Sequence, residues 1–166
     1  GVEIFYPRYL EFPKGIMFDK SGFCMSMGIK SLIKKIYKDF KFDLIHSHVA
    51  VPDGYAVMIL NKEFKVPHVV TIHGQDFQNT INKNIKCKKA LFNVLNHVDK
   101  IITVSNKLKN VVKHEEFYNK IEVVNNGIDK DYIDVDKIYE NYIEQNRINK
   151  NLIKVLSVSN LNETKG

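Results

Sequence analysis

Histidine, serine, asparagine, aspartate and glycine recur in this chain at the ends of short apolar runs. These residue types bind hydroxyls, phosphates or metal ions. His46-Ser47-His48 closes the run Leu44-Ile45, and Pro52-Asp53-Gly54 follows it. His73-Gly74-Gln75-Asp76 comes after Val69-Val70-Thr71-Ile72, and Ser105 after Ile101-Ile102-Thr103-Val104. Asn125-Asn126-Gly127-Ile128-Asp129 comes after Glu122-Val123-Val124. If these runs are neighbouring parallel strands, four carboxyl ends deliver their polar groups to one edge, where open α/β sheets bind ligands.

Each group also has a purely structural explanation. His46 and His48 fit strand-end residues of period two, one buried and one facing solvent. His73-Gly74 fits a tight turn with the glycine at positive φ, but His73 and Asp76 flanking that glycine together favour a site. Asn126-Gly127 is a common turn dipeptide. Ser105 suits a helix cap better than a nucleophile, because no G-x-S-x-G elbow surrounds it. A different chemistry also fits: His46, His48, His73 and Asp76 as metal ligands of a metal-dependent hydrolase.

Several chemistries are excluded by absent spacing. There is no G-x-G-x-x-G and no G-x-x-x-x-G-K-[ST], so neither a dinucleotide fingerprint nor a P-loop is present. The familiar zinc spacings are missing, and Cys24 and Cys87 form no C-x-x-C. Two unpaired thiols suit a reducing, cytoplasmic compartment. With 166 residues, 44% of them hydrophobic and 27% charged, the composition is that of a folded globular chain. The net charge of +6 suits phosphorylated ligands or anionic lipid head groups. Only Arg147 accompanies Arg8, so specific nucleic-acid binding is not expected.

The elements that must position these groups follow from hydrophobic period. Strands are expected at Val2–Tyr6, Leu44–His48, Val69–His73, Ile101–Val104, Ile121–Val124 and Ile153–Val158, mostly as continuous Ile, Val and Leu runs. Helices are expected at Ile29–Phe40, Gly54–Phe64, Ile85–His97, Asn106–Glu115 and Val135–Asn146. The first carries Lys30, Lys34, Lys35 and Lys38 opposite its apolar stripe. Ser105 or Asn106 is the expected N-cap of the fourth. Such alternation predicts an α/β fold: a doubly wound, mainly parallel Rossmann-like sheet with helices on both faces. The polar stretch Asp129–Asn151 reads as a connection between domains, giving residues 1–150 as one domain and 151–166 as the start of another. Gly1-Val2-Glu3-Ile4-Phe5-Tyr6 reads as the middle of a strand with no leader, so a piece of a longer protein is expected.

Taken in order, four segments resemble the amino-terminal domain of GT-B glycosyltransferases, and within them the retaining family-four enzymes that use nucleotide sugars. They are Asp43–His48, Val66–Asp76, Asp99–Ser105 and Val123–Asp129. The closing Val155–Gly166 is similar to the strand and loop that open the second domain of that fold. The resemblance implies an active site between two Rossmann-like halves, with the acceptor (a saccharide or a lipid-linked molecule) on the first. It implies no cofactor. His73 matches the family's histidine near the transferred sugar, and Lys165 the lysine that contacts the donor diphosphate. His48, Gly74, Asp76 and Asn126 are the further substrate-binding expectations. Asn160 and Ser159 depart from the family's usual Arg and Gly, which removes one cation from the diphosphate site.

The resemblance further implies surface polysaccharide or glycolipid synthesis. The amphipathic Ile29–Phe40 helix suits a peripheral enzyme at an anionic membrane face, on the cytoplasmic side. The isolated chain is expected to be inactive. A non-catalytic sugar- or nucleotide-binding module is the remaining alternative, favoured by Asn160.

Overall fold

Four apolar runs form strands β1 (Ile45–His48), β2 (His68–Ile72), β3 (Lys100–Thr103) and β4 (Ile121–Val123). In the computed structural model, which describes residues 2–127, they pair in parallel in the order β1-β2-β3-β4. The helices are α1 (Phe18–Asp39), α2 (Tyr55–Phe64), the single turn α3 (Ile81–Lys83), α4 (Ile85–His97) and α5 (Asn106–Val111). Parallel neighbours need a crossover, and α2, α4 and α5 supply one between each successive strand pair. The fold is therefore α/β and Rossmann-like, as expected. These elements lie within one unit, Gly1–Asn126. The expected helix Val135–Asn146, the strand Ile153–Val158 and the boundary at 150/151 lie outside the described residues.

Period-two alternation sorts the sheet into two faces. Ser47, Val70, Ile72, Ile101, Thr103 and Ile121 are buried on one face, where Leu91, Val94, Leu95, Leu108, Val112 and Phe117 complete the core. On the other face His46, His48, Lys100 and Glu122 are exposed, Val69 and Ile102 are half-buried, and only Thr71 is buried. Among the described residues the apolar core thus lies on one side of the sheet.

Helix α4 matches its expected bounds because both signals are local. The Asn84 side chain accepts a hydrogen bond from the Cys87 amide at 2.9 Å, and Cys87, Ala90, Leu91, Val94 and Leu95 form the buried stripe. Ser105 caps α5 in the same way, accepting from Leu108 N at 3.3 Å. Helix α5 is shorter than the expected Asn106–Glu115. After Leu108 and Val112 the next positions on its inner stripe are Glu115 and Glu116, so nothing apolar holds another turn. Phe117 instead enters the core from a 3-10 turn, Glu116–Lys120.

Helix α1 begins eleven residues earlier than Ile29, at Phe18. Its first half packs through Ser21, Gly22 and Ser26, which are buried but not apolar. A Cβ at Gly22 would sit 2.5 Å from Tyr55 Cβ and 2.9 Å from the Pro52 carbonyl oxygen, so the close approach to α2 requires glycine. The far end is held by the rings of Tyr37, Phe42 and Phe64, with centroids 4.7–5.5 Å apart. The expected strand Val2–Tyr6 is not formed. Val2, Ile4 and Tyr6 are 90%, 69% and 88% exposed, and no strand lies beside them among the described residues. β-branched residues make a strand only where a neighbour accepts their backbone hydrogen bonds.

Two buried ionisable groups tie the sheet to its connections. His68 Nε2 lies 2.8 Å from Ser47 Oγ, and the His68 amide donates to Asp99 Oδ2 at 2.8 Å. Burial pushes His68 down to about 4. Asp76, 1% exposed, accepts from the Ala50 amide (3.2 Å to each oxygen) and the Val51 amide (3.3 Å). Burial nonetheless raises its carboxyl to about 6. The amides it holds follow Val49, a β-branched residue at φ +73°, a conformation costing roughly 1–3 kcal/mol.

The two shifts act in opposite senses. Below its ordinary 6.5, His68 takes a proton more readily in the unfolded chain, so its contribution is lost as pH falls towards 4. Below about 6, Asp76 takes a proton more readily in the folded chain, so stability is regained towards its ordinary 3.8. Relative to wild type, Asp76→Asn should therefore lose melting temperature between pH 6 and 4, and His68→Gln should gain it. Thermal unfolding across that range checks this; slopes of the same sign in both variants would refute it.

Candidate functional site

Strand register decides which side chains meet at the carboxyl rim. β1 pairs with β2 so that Ile45 faces His68 and His48 faces Thr71. The ladder continues one step further, with the Val49 amide donating to the Thr71 carbonyl at 2.9 Å. His46 and His48 therefore share a face with Thr71 and with His73, two residues beyond it. His46 Nε2 lies 2.7 Å from Thr71 Oγ1, and His48 Nδ1 lies 3.0 Å from His73 Nε2. The rings lie in a row: centroids of His46 and His48 are 4.5 Å apart and tilted at 31°, and those of His48 and His73 are stacked 5.3 Å apart at 16°.

A bond between two ring nitrogens needs a proton on one and a lone pair on the other. His48 and His73 therefore cannot both be fully protonated and keep it. Burial lowers the pKa of His46, and charge on His48 and His73 would lower it further. The cluster thus presents ring nitrogens that can accept and donate hydrogen bonds to hydroxyls at an exposed rim. Beside it, burial raises the Asp53 carboxyl while His48 pulls it back down.

Of the expected site residues, His48 and His73 come together at the rim. Gly74 follows with φ +129°, a conformation that glycine supplies, and its carbonyl accepts from the Phe77 and Gln78 amides at 3.1 and 2.9 Å. Asp76 is beneath the surface, engaged by the Ala50 and Val51 amides. Asn126 is exposed beyond the end of β4. Lys165, Asn160 and Ser159 lie outside the described residues. Ser105 is the cap already described.

The geometry overturns the metal-hydrolase reading. Among the described residues no three His, Cys, Asp or Glu side chains are grouped to hold a metal ion. His48 and His73 turn their nitrogens on each other, and Asp76 is spoken for by backbone amides. Two members of the site were missed from sequence. Thr71 reads as an ordinary strand residue until the register places its hydroxyl against His46. Asp53 reads as a helix-opening turn residue, and only folding brings it near His48.

Residues 2–132 match the sequence model of Glycosyltransferase Family 4. An uncharacterized glycosyltransferase of Methanocaldococcus jannaschii, MJ1178, is 36% identical over 103 residues, which is 60% of this chain and 28% of that protein. The putative teichuronic acid biosynthesis glycosyltransferase TuaC of Bacillus subtilis is 25% identical over 113 residues, 68% of this chain and 28% of that protein. The aligned part of the chain thus spans little more than a quarter of either relative. Parallel strands, a histidine-bearing carboxyl rim and a family match over most of the chain lead to one assignment: this chain belongs to glycosyltransferase family 4.

Proposed function

We propose that the chain forms the acceptor-side half of a retaining GT-B glycosyltransferase, moving a hexose-type sugar from a nucleotide-sugar donor to a saccharide or lipid-linked acceptor. The observation that carries this reading is the convergence of His46, His48 and His73 on one open rim, with His48 Nδ1 and His73 Nε2 3.0 Å apart. Departure of a nucleoside diphosphate leaves an oxocarbenium-like sugar, so the adjoining protein surface should carry no competing positive charge. The bonded histidine pair presents hydrogen-bond partners for sugar hydroxyls at that surface. His73 would orient the donor sugar, His48 and Gly74 would meet the acceptor, and Lys165 would hold the donor diphosphate. Asn126 would serve the hinge. Surface polysaccharide assembly is supported by the name of the Bacillus subtilis relative, which refers to teichuronic acid biosynthesis.

Peripheral attachment to an anionic, cytoplasmic membrane face belongs to the same reading. No described helix is long and apolar enough to cross a membrane. The apolar stripe of α1 is taken up by α2 through Ile29 and Ile33. Lys34 is paired with Glu63 at 2.7 Å. Contact would therefore run through Lys30, Lys35 and Lys38 together with Phe23 and Met27, which are 50% and 59% exposed. Sedimentation with anionic and neutral vesicles should show binding to the anionic ones alone, weakened by salt. Equal, negligible recovery with both would end this part of the proposal.

Activity is tested in the full-length protein with a panel of nucleotide sugars. His73→Ala should lower kcat by roughly 10²–10³-fold, while the isolated 166-residue chain should turn over none of the donors. Turnover by the chain alone, or a His73→Ala protein as active as wild type, would refute the assignment. Donor binding without turnover in the full-length wild type would favour the non-catalytic module instead.

A further inference from the structure

We propose that Asp76 is a positioning residue: its buried carboxylate clamps the loop after β1 so that His48 stays within hydrogen-bond reach of His73. The inference rests on the reading of the histidine rim as the functional site, but not on the reaction assigned to it. His48 is the last residue of β1, and the next residues, Val49, Ala50 and Val51, lead the chain away from the sheet. His73 follows β2, and Asp76 lies three residues further along the same connection. The Asp76 carboxylate reaches across to Ala50 N and Val51 N at 3.2–3.3 Å. One histidine is thus carried by each of the two segments that this single side chain joins.

The joined backbone is not at rest. Val49, at φ +73° and ψ 145°, occupies a region that a β-branched side chain strongly disfavours. Such a conformation persists only where its surroundings over-determine it. Below Val49 the sheet holds it, through the Val49 amide and the Thr71 carbonyl at 2.9 Å. Gly54 N closes the loop on the Val49 carbonyl at 3.2 Å. Above it, the Asp76 carboxylate takes the next two amides. Releasing the upper clamp should let Val49 relax towards negative φ, which rotates the peptide that follows His48 and withdraws its ring from His73. The carboxylate itself is 1% exposed and engaged by the Ala50 and Val51 amides, so it acts through the loop and not on a bound sugar.

A neutral amide distinguishes this role from simple burial. Asp76→Asn keeps the size but sets an amide group, with its own N–H donors, against two backbone N–H groups. In the 166-residue chain labelled with ¹⁵N-histidine, the wild type should show a scalar coupling across the hydrogen bond between His48 Nδ1 and His73 Nε2. The Asp76→Asn chain should keep its circular dichroism spectrum and the ring signals of buried His68, yet lose that coupling. Adding Val49→Gly, which lets the backbone keep its positive φ without strain, should restore the coupling. A coupling that survives Asp76→Asn, or stays lost in the double variant, overturns the proposal. So does an Asp76→Asn chain that fails to fold, since Asp76 would then serve general stability. None of these readouts requires sugar transfer, so a failed transferase assignment and a failed clamp give different results.

Discussion

Parallel pairing of β1 with β2 has one side-chain consequence on which the rim depends. With Ile45 opposite His68, every odd position of β1 joins the core face and every even one joins the open face. His46 and His48 then have no choice but to line up beside Thr71 and His73. A slip of one residue would send Ser47 outward and carry both imidazoles into an apolar core, which no partner there could satisfy. The buried contact between Ser47 Oγ and His68 Nε2 locks the register from the other side of the sheet. One histidine is thus spent on holding the strands so that three others can meet.

The helical layer answers a related constraint. A short sheet with its core on one face must obtain most of its burial from the helices that cross that face. Helix α4 supplies the greatest share, with five buried side chains on one stripe. Helix α1 does not reach the sheet by the same means; it packs on α2 and on the loop before it. Small residues let the two backbones approach, so Gly22 and Ser26 do there what leucines do in α4. Because Tyr55 and Pro52 border that contact, the packing of α1 bears on the same loop that Asp76 holds from within.

How much of this could be read in the residues differs from element to element. The strands after β1, and α4 with its Asn84 cap, follow from apolar runs and local capping, which are properties of a few neighbouring residues. The start of α1 escaped because its packing stripe is written in Ser and Gly, which hydrophobic period does not register. Val2–Tyr6 misled in the opposite sense, since its residues favour strands but pairing is decided by what lies alongside. At the site, strand order and the types His48 and His73 sufficed to expect convergence on one edge. The partnership of His46 with Thr71, and the descent of Asp76 beneath the surface, depend on register and on a loop path that no local pattern encodes.

The sheet's outermost strand carries a practical consequence. β1 is only four residues long and, among the described residues, pairs on one side alone. Its outward backbone amides and carbonyls can recruit a strand from another molecule, and its brevity and its histidines are weak guards against that. Handling this unit by itself at high concentration therefore invites association along β1, in a way governed by backbone hydrogen bonding and not by surface charge.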